Sequence, residues 1–210
     1  MKNKAEIIQN FINKFSFKKY LEIGIGVKKE TWDEISCDKK IGIDPDPFFC
    51  DYVSTENDRI HNLYSEDFFS SNHDKFDIIY IDGDHKEKSV FFDLKESLKI
   101  LNNDGIIFMH DVGPQTNEQT NLSASGTAYI AWMKLINQNE ETEIKEKLYH
   151  CSYIFDDLDV IGILWKSNKE NKISLDEEYN WENYEKNMGK ILNYKNIDEI
   201  VSLYREEKYK

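Results

Sequence analysis

YLEIGIG, residues 20–26, and IGIDPD, residues 41–46, decide the fold of this 210-residue chain. Each is a short apolar run that stops abruptly at residues of special chemistry. The first ends in Glu22-Ile23-Gly24-Ile25-Gly26. Two glycines there let the backbone turn tightly and approach a ligand with no Cβ in the way. The second ends at Asp44, and Pro45 and Pro47 break the strand beyond it. Asp44 lies 18 residues after Gly26, near the ~20 expected of a ribose-binding acid. In an open α/β sheet, ligands bind beyond the carboxyl ends of the strands. The pair therefore predicts a nucleoside site, with Asp44 accepting from ribose hydroxyls. It fits two cofactors. A dinucleotide fold usually wants a third glycine, and that position is Lys29.

Outward from this pair, strands alternate with helices. Ala5–Phe15 carries Ile7, Ile8, Phe11, Ile12 and Phe15 at helical spacing. Lys18–Ile23 and Lys40–Asp44 are strands, with a helix expected over Lys28–Ile35 between them. Arg59–Tyr64 is a weaker strand, and Phe76–Asp82 (FDIIYID) a strong one of the kind buried on both faces. Lys86–Leu101 is helical, Asn102–Gly105 a turn, and Ile106–Asp111 a further buried strand. Gly126–Asn139 reads as a helix, and Tyr149–Phe155 and Val160–Trp165 as two last strands. Leu175–Lys210 is polar, aromatic and helical. The alternation predicts an α/β, doubly wound, mostly parallel seven-stranded sheet with helices on both faces. The length suits one domain, spanning an N-terminal helix (1–17), a core (18–166) and a helical extension (167–210).

Hydrophobic residues make up 40% of the chain and charged residues 32%, a composition suited to a core with a well-solvated surface. A net charge of −13 repels phosphate backbones and argues against nucleic acid as a partner. No apolar run approaches the ~20 residues of a membrane span. Glu6, Gln9 and Asn10 interrupt any signal-like apolar segment at the start. Cys37, Cys50 and Cys151 form no CxxC pair and read as buried structural thiols in a reducing cytoplasm. A homodimer is the default assembly.

YLEIGIG followed by IGIDPDP resembles the first two motifs of the Rossmann-like methyltransferases that use S-adenosylmethionine. SEDFF at 65–69, FDIIYIDGDH at 76–85 and NNDGIIFMHDV at 102–112 extend the likeness. Together they resemble small bacterial methyltransferases of glycan and natural-product pathways, and are similar to macrolide and aminocoumarin sugar O-methyltransferases. The resemblance implies S-adenosylmethionine as cofactor, with Glu22, Gly24 and Gly26 bordering its methionine and ribose, Asp44 on the ribose hydroxyls and Asp82 close by. It also implies Glu66 or Asp67 near the adenine amino group. These two acids equally suit a helix start, with Ser65 as its cap.

Asp82-Gly83-Asp84-His85 follows the fourth strand and His110-Asp111 the fifth. Neighbouring strands lie about 5 Å apart, so these residues face one cleft. Asp82 and Asp111 are placed to share a divalent cation such as Mg²⁺, as the resembled sugar methyltransferases do, with His110 as a further ligand that suits a softer metal. The same resemblance places a catalytic base at Asp84 or His85, and imidazole is the better proton acceptor at neutral pH. Without a metal, His85 and Asp111 form a base with its orienting carboxylate. The expected reaction is O-methylation of a small hydroxylated acceptor such as a sugar. An NAD-type oxidoreductase and a non-catalytic nucleoside-binding module are the alternatives. Trp132, Trp165, Trp181, Tyr179 and Tyr184 are expected in the core or an interface, and Asp156, Asp157 and Asp159 in a solvated turn between strands.

Overall fold

A computed structural model of the protein describes residues 3–137, 144–156, 159–175 and 178–209. Seven strands form one sheet: β1 (Lys19–Ile23), β2 (Lys39–Ile43), β3 (Asp58–His61), β4 (Phe76–Ile81), β5 (Leu101–Met109), β6 (Leu148–Asp156) and β7 (Asp159–Lys166). Their order is β3-β2-β1-β4-β5-β7-β6. The first five are parallel, and β7 runs antiparallel to both β5 and β6.

Period-two alternation along the strands divides the core in two. Leu21, Ile23, Ile79, Ile81, Ile107 and Met109 point to one face, where α3 (Glu87–Ile100), α4 (Ala128–Asn137) and α5 (Trp181–Leu192) cover them. The short α2 (Ser65–Ser71) adds Phe68 to that layer. Tyr20, Ile78, Tyr80, Ile106 and Phe108 point to the other, under α1 (Lys4–Phe15) and α6 (Ile197–Lys208). The C-terminal segment thus contributes one helix to each layer. Trp132, Trp165 and Tyr184 are fully buried, while Tyr179 and Trp181 pack against the core from its margin. Among the described residues, no helix is long and apolar enough to cross a membrane.

Four local expectations change. No α-helix follows the glycines over 28–35. Gly26 and Lys29 both take positive φ (65° and 52°), which interrupts helical winding, and only a 3₁₀ turn at Trp32–Glu34 forms. The buried Lys40 ammonium donates to the Trp32 carbonyl and lies 4.3 Å from its ring centroid. The expected turn at 102–105 lies inside β5, where an irregularity between the Phe76 and Ile78 pairings absorbs it. Ser65 is the first residue of α2 rather than its cap. Extended Tyr64 holds that position without a side-chain bond, so Glu66 and Asp67 still fall in the first turn. Of the thiols, Cys151 alone is buried; Cys37 is half-buried, and exposed Cys50 donates to Asn62 Oδ1. The expected helix end at 138–139, and Asp157, lie outside the described residues.

Candidate active site

Sheet register sets the site. Ile23 pairs with both Ile43 and Ile81, and Ile81 with Met109. The next residue of each strand therefore lies along one carboxyl edge: Asp44, Gly24, Asp82 and His110. Backbone bonds from Gly24 N to the Ile43 carbonyl, Asp82 N to Ile23 and His110 N to Ile81 hold that line.

At the glycines, a Cβ on Gly24 (φ +82°) would collide with the carbonyl of Asp82, whereas one on Gly26 (φ +65°) would meet nothing within 4 Å. Gly24 is required by contact, Gly26 by backbone conformation alone. Buried Asp44 organises this loop: Oδ2 accepts from the amides of Ile25 (2.9 Å) and Gly26 (2.8 Å), and Oδ1 from Asp46 (2.8 Å). A cleft of about 330 Å³ lies beside the loop, lined by Lys4, Gly24, Gly26, Glu30 and Asp82 among others.

Glu22 lies within β1 and Asp82 just beyond β4, and each takes a hydroxyl from the tyrosine two residues before it. Tyr20 donates to Glu22 at 2.6 Å and Tyr80 to Asp82 at 2.7 Å. Burial pushes Glu22 up to about 8, against the pull of the Tyr20 bond. Asp82 goes the other way. Burial would raise it, but His110 and Lys4 together outweigh burial and hold it well below the usual carboxylate range. Lys4 Nζ reaches Asp82 Oδ2 at 2.8 Å from the first turn of α1. His110 Nδ1 lies 3.0 Å from Asp82 and 3.3 Å from Asp111, off the axis of a hydrogen bond to either, so the attraction is that of an ion pair. Burial lowers His110, yet the two carboxylates prevail and carry it up to about 10.

His85 Nε2 lies 3.4 Å from Asp111 Oδ2, and its Nδ1 lies 2.5 Å from the Ala124 carbonyl. Asp84 is turned away from this cluster. It is exposed, and its Oδ2 accepts from Lys86 and Ser89 at the start of α3. Glu66 and Asp67 stand exposed on α2. Ligand atoms of Asp82, His85 and Asp111 all fall within 4.8 Å of one another, as do those of His110, Asp111 and Asp159.

A second cavity, of about 440 Å³, is lined by His110, Phe155 and Asp159, with Glu34 and Asn3 at its edge. It shares Lys4 and Glu30 with the glycine-loop cleft. Sequence reasoning missed Lys4, Tyr20, Tyr80 and Asp159 as site residues. The i, i+2 pairs Tyr20/Glu22 and Tyr80/Asp82 were a usable signal, since such residues share a strand face. Asp159 sits in the expected turn, but antiparallel β7 delivers it to His110 and Asp111.

Residues 35–112 match a family model described as a methyltransferase domain. That stretch is similar to a methyltransferase domain, and the seven-stranded sheet has the fold of solved Rossmann-like methyltransferases. Solved structures share that fold at low identity. An O-methyltransferase assignment from Klebsiella pneumoniae matches at 14% identity and TM-score 0.57, over 79% of this chain and 80% of that one. An SAH-bound methyltransferase of Podospora anserina gives 14%, 0.57, and 80% of each chain. An rRNA methylase of Streptococcus thermophilus gives 9%, 0.55, 79% of this chain and 98% of that one. No curated protein gives a significant sequence match. These three neighbours share the fold, so function is argued from this chain's own site.

Proposed function

We propose that the protein transfers the methyl group of S-adenosylmethionine to a hydroxyl of a small polar acceptor such as a sugar or natural-product precursor. One observation carries this reading: Asp82 in the glycine-loop cleft pairs with His110 in a second cavity of acceptor size, and Asp111 and His85 continue from that pair. The cleft suits the nucleoside ligand, with free space over Gly26 and a loop held by Asp44. When bound there, the cofactor supplies an electrophilic methyl on a sulfonium. Glu30 and Asp82 in that cleft offer carboxylates to such a cation, beside the ammonium groups of Lys4, Lys28 and Lys29.

His85 takes the acceptor proton at Nε2 as the O–H bond breaks and the oxygen bonds the methyl carbon. The carbon–sulfur pair leaves with sulfur. Asp111, 3.4 Å from Nε2, stabilises the imidazolium that results. Asp84, engaged at the α3 start, has no such place. Glu30, Glu34 and Asp159 line the second cavity and favour a neutral or cationic acceptor over a phosphorylated one. The net charge of −13 likewise disfavours nucleic acid.

The donor set does not suit Mg²⁺, which prefers near-ideal octahedral oxygen ligation. Two of the clustered donors are imidazoles. Lys4 and His110 already neutralise Asp82, and His110 is held protonated. The proposed transfer runs without a metal. An NAD-type enzyme is disfavoured because no α-helix N-terminus follows the glycines to receive a pyrophosphate.

Calorimetric titration with S-adenosylmethionine should show saturable binding. Asp44→Ala should weaken it at least ~10-fold, since the loop loses the acceptor of two amides. Methyl transfer to a panel of hydroxylated acceptors should be unchanged by EDTA. Absence of binding at millimolar cofactor would overturn the reading, and abolition of transfer by EDTA would overturn its metal-free form.

A further inference from the structure

His85 is held from two directions by a segment 40 residues further along the chain. Its ring Nδ1 meets the Ala124 carbonyl at 2.5 Å. Its backbone carbonyl accepts from Thr127 N at 2.8 Å, and the Thr127 hydroxyl lies 3.4 Å from the same oxygen. That hydroxyl also accepts from Glu87 N at 2.8 Å, tying the segment to the first turn of α3. Between Ala124 and Thr127 stands Gly126, at φ +59°. A Cβ there would lie 2.5 Å from the His85 carbonyl oxygen and 2.7 Å from its Cβ. The clasp is in turn closed on itself, with Ala124 N and Gly126 N both bonded to the Asn121 carbonyl.

A carbonyl oxygen only accepts, so the Ala124 contact requires a proton on Nδ1. Neutral imidazole carries one proton, which leaves Nε2 with a lone pair facing Asp111 at 3.4 Å. Two lone pairs at that separation repel each other until a proton arrives. With Nδ1 already carrying its proton, Nε2 is the one ring nitrogen left to accept another. It differs from a Ser-His-Asp triad, where the carboxylate orients Nδ1. Here a backbone carbonyl orients Nδ1, and the carboxylate waits on the side that receives the proton.

We infer that the Ala124–Thr127 segment fixes His85 as its Nδ1–H tautomer, with Gly126 a positioning residue that lets the segment close on the histidine. The link to catalysis rests on His85 being the base proposed above; the tautomer itself does not.

Two-bond ¹⁵N–¹H correlation spectra of the imidazoles test it directly. His85 is assigned by the signal lost in His85→Gln. The neutral wild-type ring should show a protonated Nδ1 and an unprotonated Nε2. Gly126→Ala should mix the tautomers. It should also lower kcat about 10- to 100-fold while leaving the cofactor dissociation constant within about twofold. Thr127→Val should move both readouts the same way in a milder form, and Thr127→Ser should restore them. This second pair serves if Gly126→Ala fails to fold. A wild-type ring protonated at Nε2 would overturn the inference. So would folded Gly126→Ala or Thr127→Val protein with lowered thermal stability but an unmoved tautomer, the signature of a merely structural role. If no acceptor is ever methylated, the proposed function fails while the nitrogen shifts still decide the tautomer.

Discussion

At the residue scale, the site is a balance of buried charges. Lys4 and His110 face Asp82 and Asp111, so the floor between the two cavities is close to neutral. His110 should carry this balance visibly in its pH dependence. Its folded value of about 10 stands above the ~6.5 of free imidazole. The stabilisation it gives is therefore complete below about pH 6.5 and is lost as pH rises through 10. His110→Gln leaves Asp82 short of a partner and should cost about 3 kcal/mol near pH 6. The gap between wild type and variant, followed by thermal unfolding, should narrow from pH 6.5 to pH 10. A constant gap would show that His110 is not charged in the folded protein. DGDH and HD were legible in the sequence as chemistry-bearing clusters, and residue types suffice for that. Which of Asp84 and His85 turns to Asp111 was not legible. Adjacent residues at a strand end point apart, and the side taken by each depends on the helix start that captures Asp84.

At the scale of elements, the glycine loop after β1 separates two kinds of glycine that look alike in the sequence. Both have positive φ, but only Gly24 is pressed against another strand's backbone. Gly26→Ala should cost about 1 kcal/mol, the strain of a left-handed alanine. Gly24→Ala must also displace the Asp82 segment, so it should cost several times as much and abolish cofactor binding. Denaturant unfolding and calorimetry check both, and equal costs would refute the assignment. The helix expected over 28–35 failed for a related reason. Apolar spacing suggested it, but Lys29 in a left-handed conformation and the Lys40–Trp32 contact are set by how β1 and β2 pack. Five of the seven strands were read to within one residue of their ends, β3 and β5 excepted, because runs such as FDIIYI have no comparable competing structure.

At the scale of the whole molecule, the C-terminal segment clasps the sheet. α5 joins the layer with α3 and α4, while α6 packs with α1, where Tyr204 meets Phe11, Phe15 and Trp165. Truncation before Ile197 should therefore expose the aromatic face under α6. The protein should bind a hydrophobic dye and lose its cooperative thermal transition. A truncated protein with an unchanged transition would show that α6 is an accessory.

The sequence by itself determined the sheet class, the carboxyl edge that carries Gly24, Gly26 and Asp44, and the acids and histidines at the ends of β4 and β5. These follow from alternation, strand-ending glycines and residue chemistry, which are local properties. Tertiary structure decided the rest. Lys4 reaches Asp82 across 78 residues of chain, Asp159 arrives on an antiparallel strand, and Ala124 caps His85 from 39 residues away. Asp44, read as a ribose ligand, also holds the glycine loop through its amides. Such contacts depend on strand order and register, and no local pattern encodes which distant side chain completes a charge or a hydrogen bond.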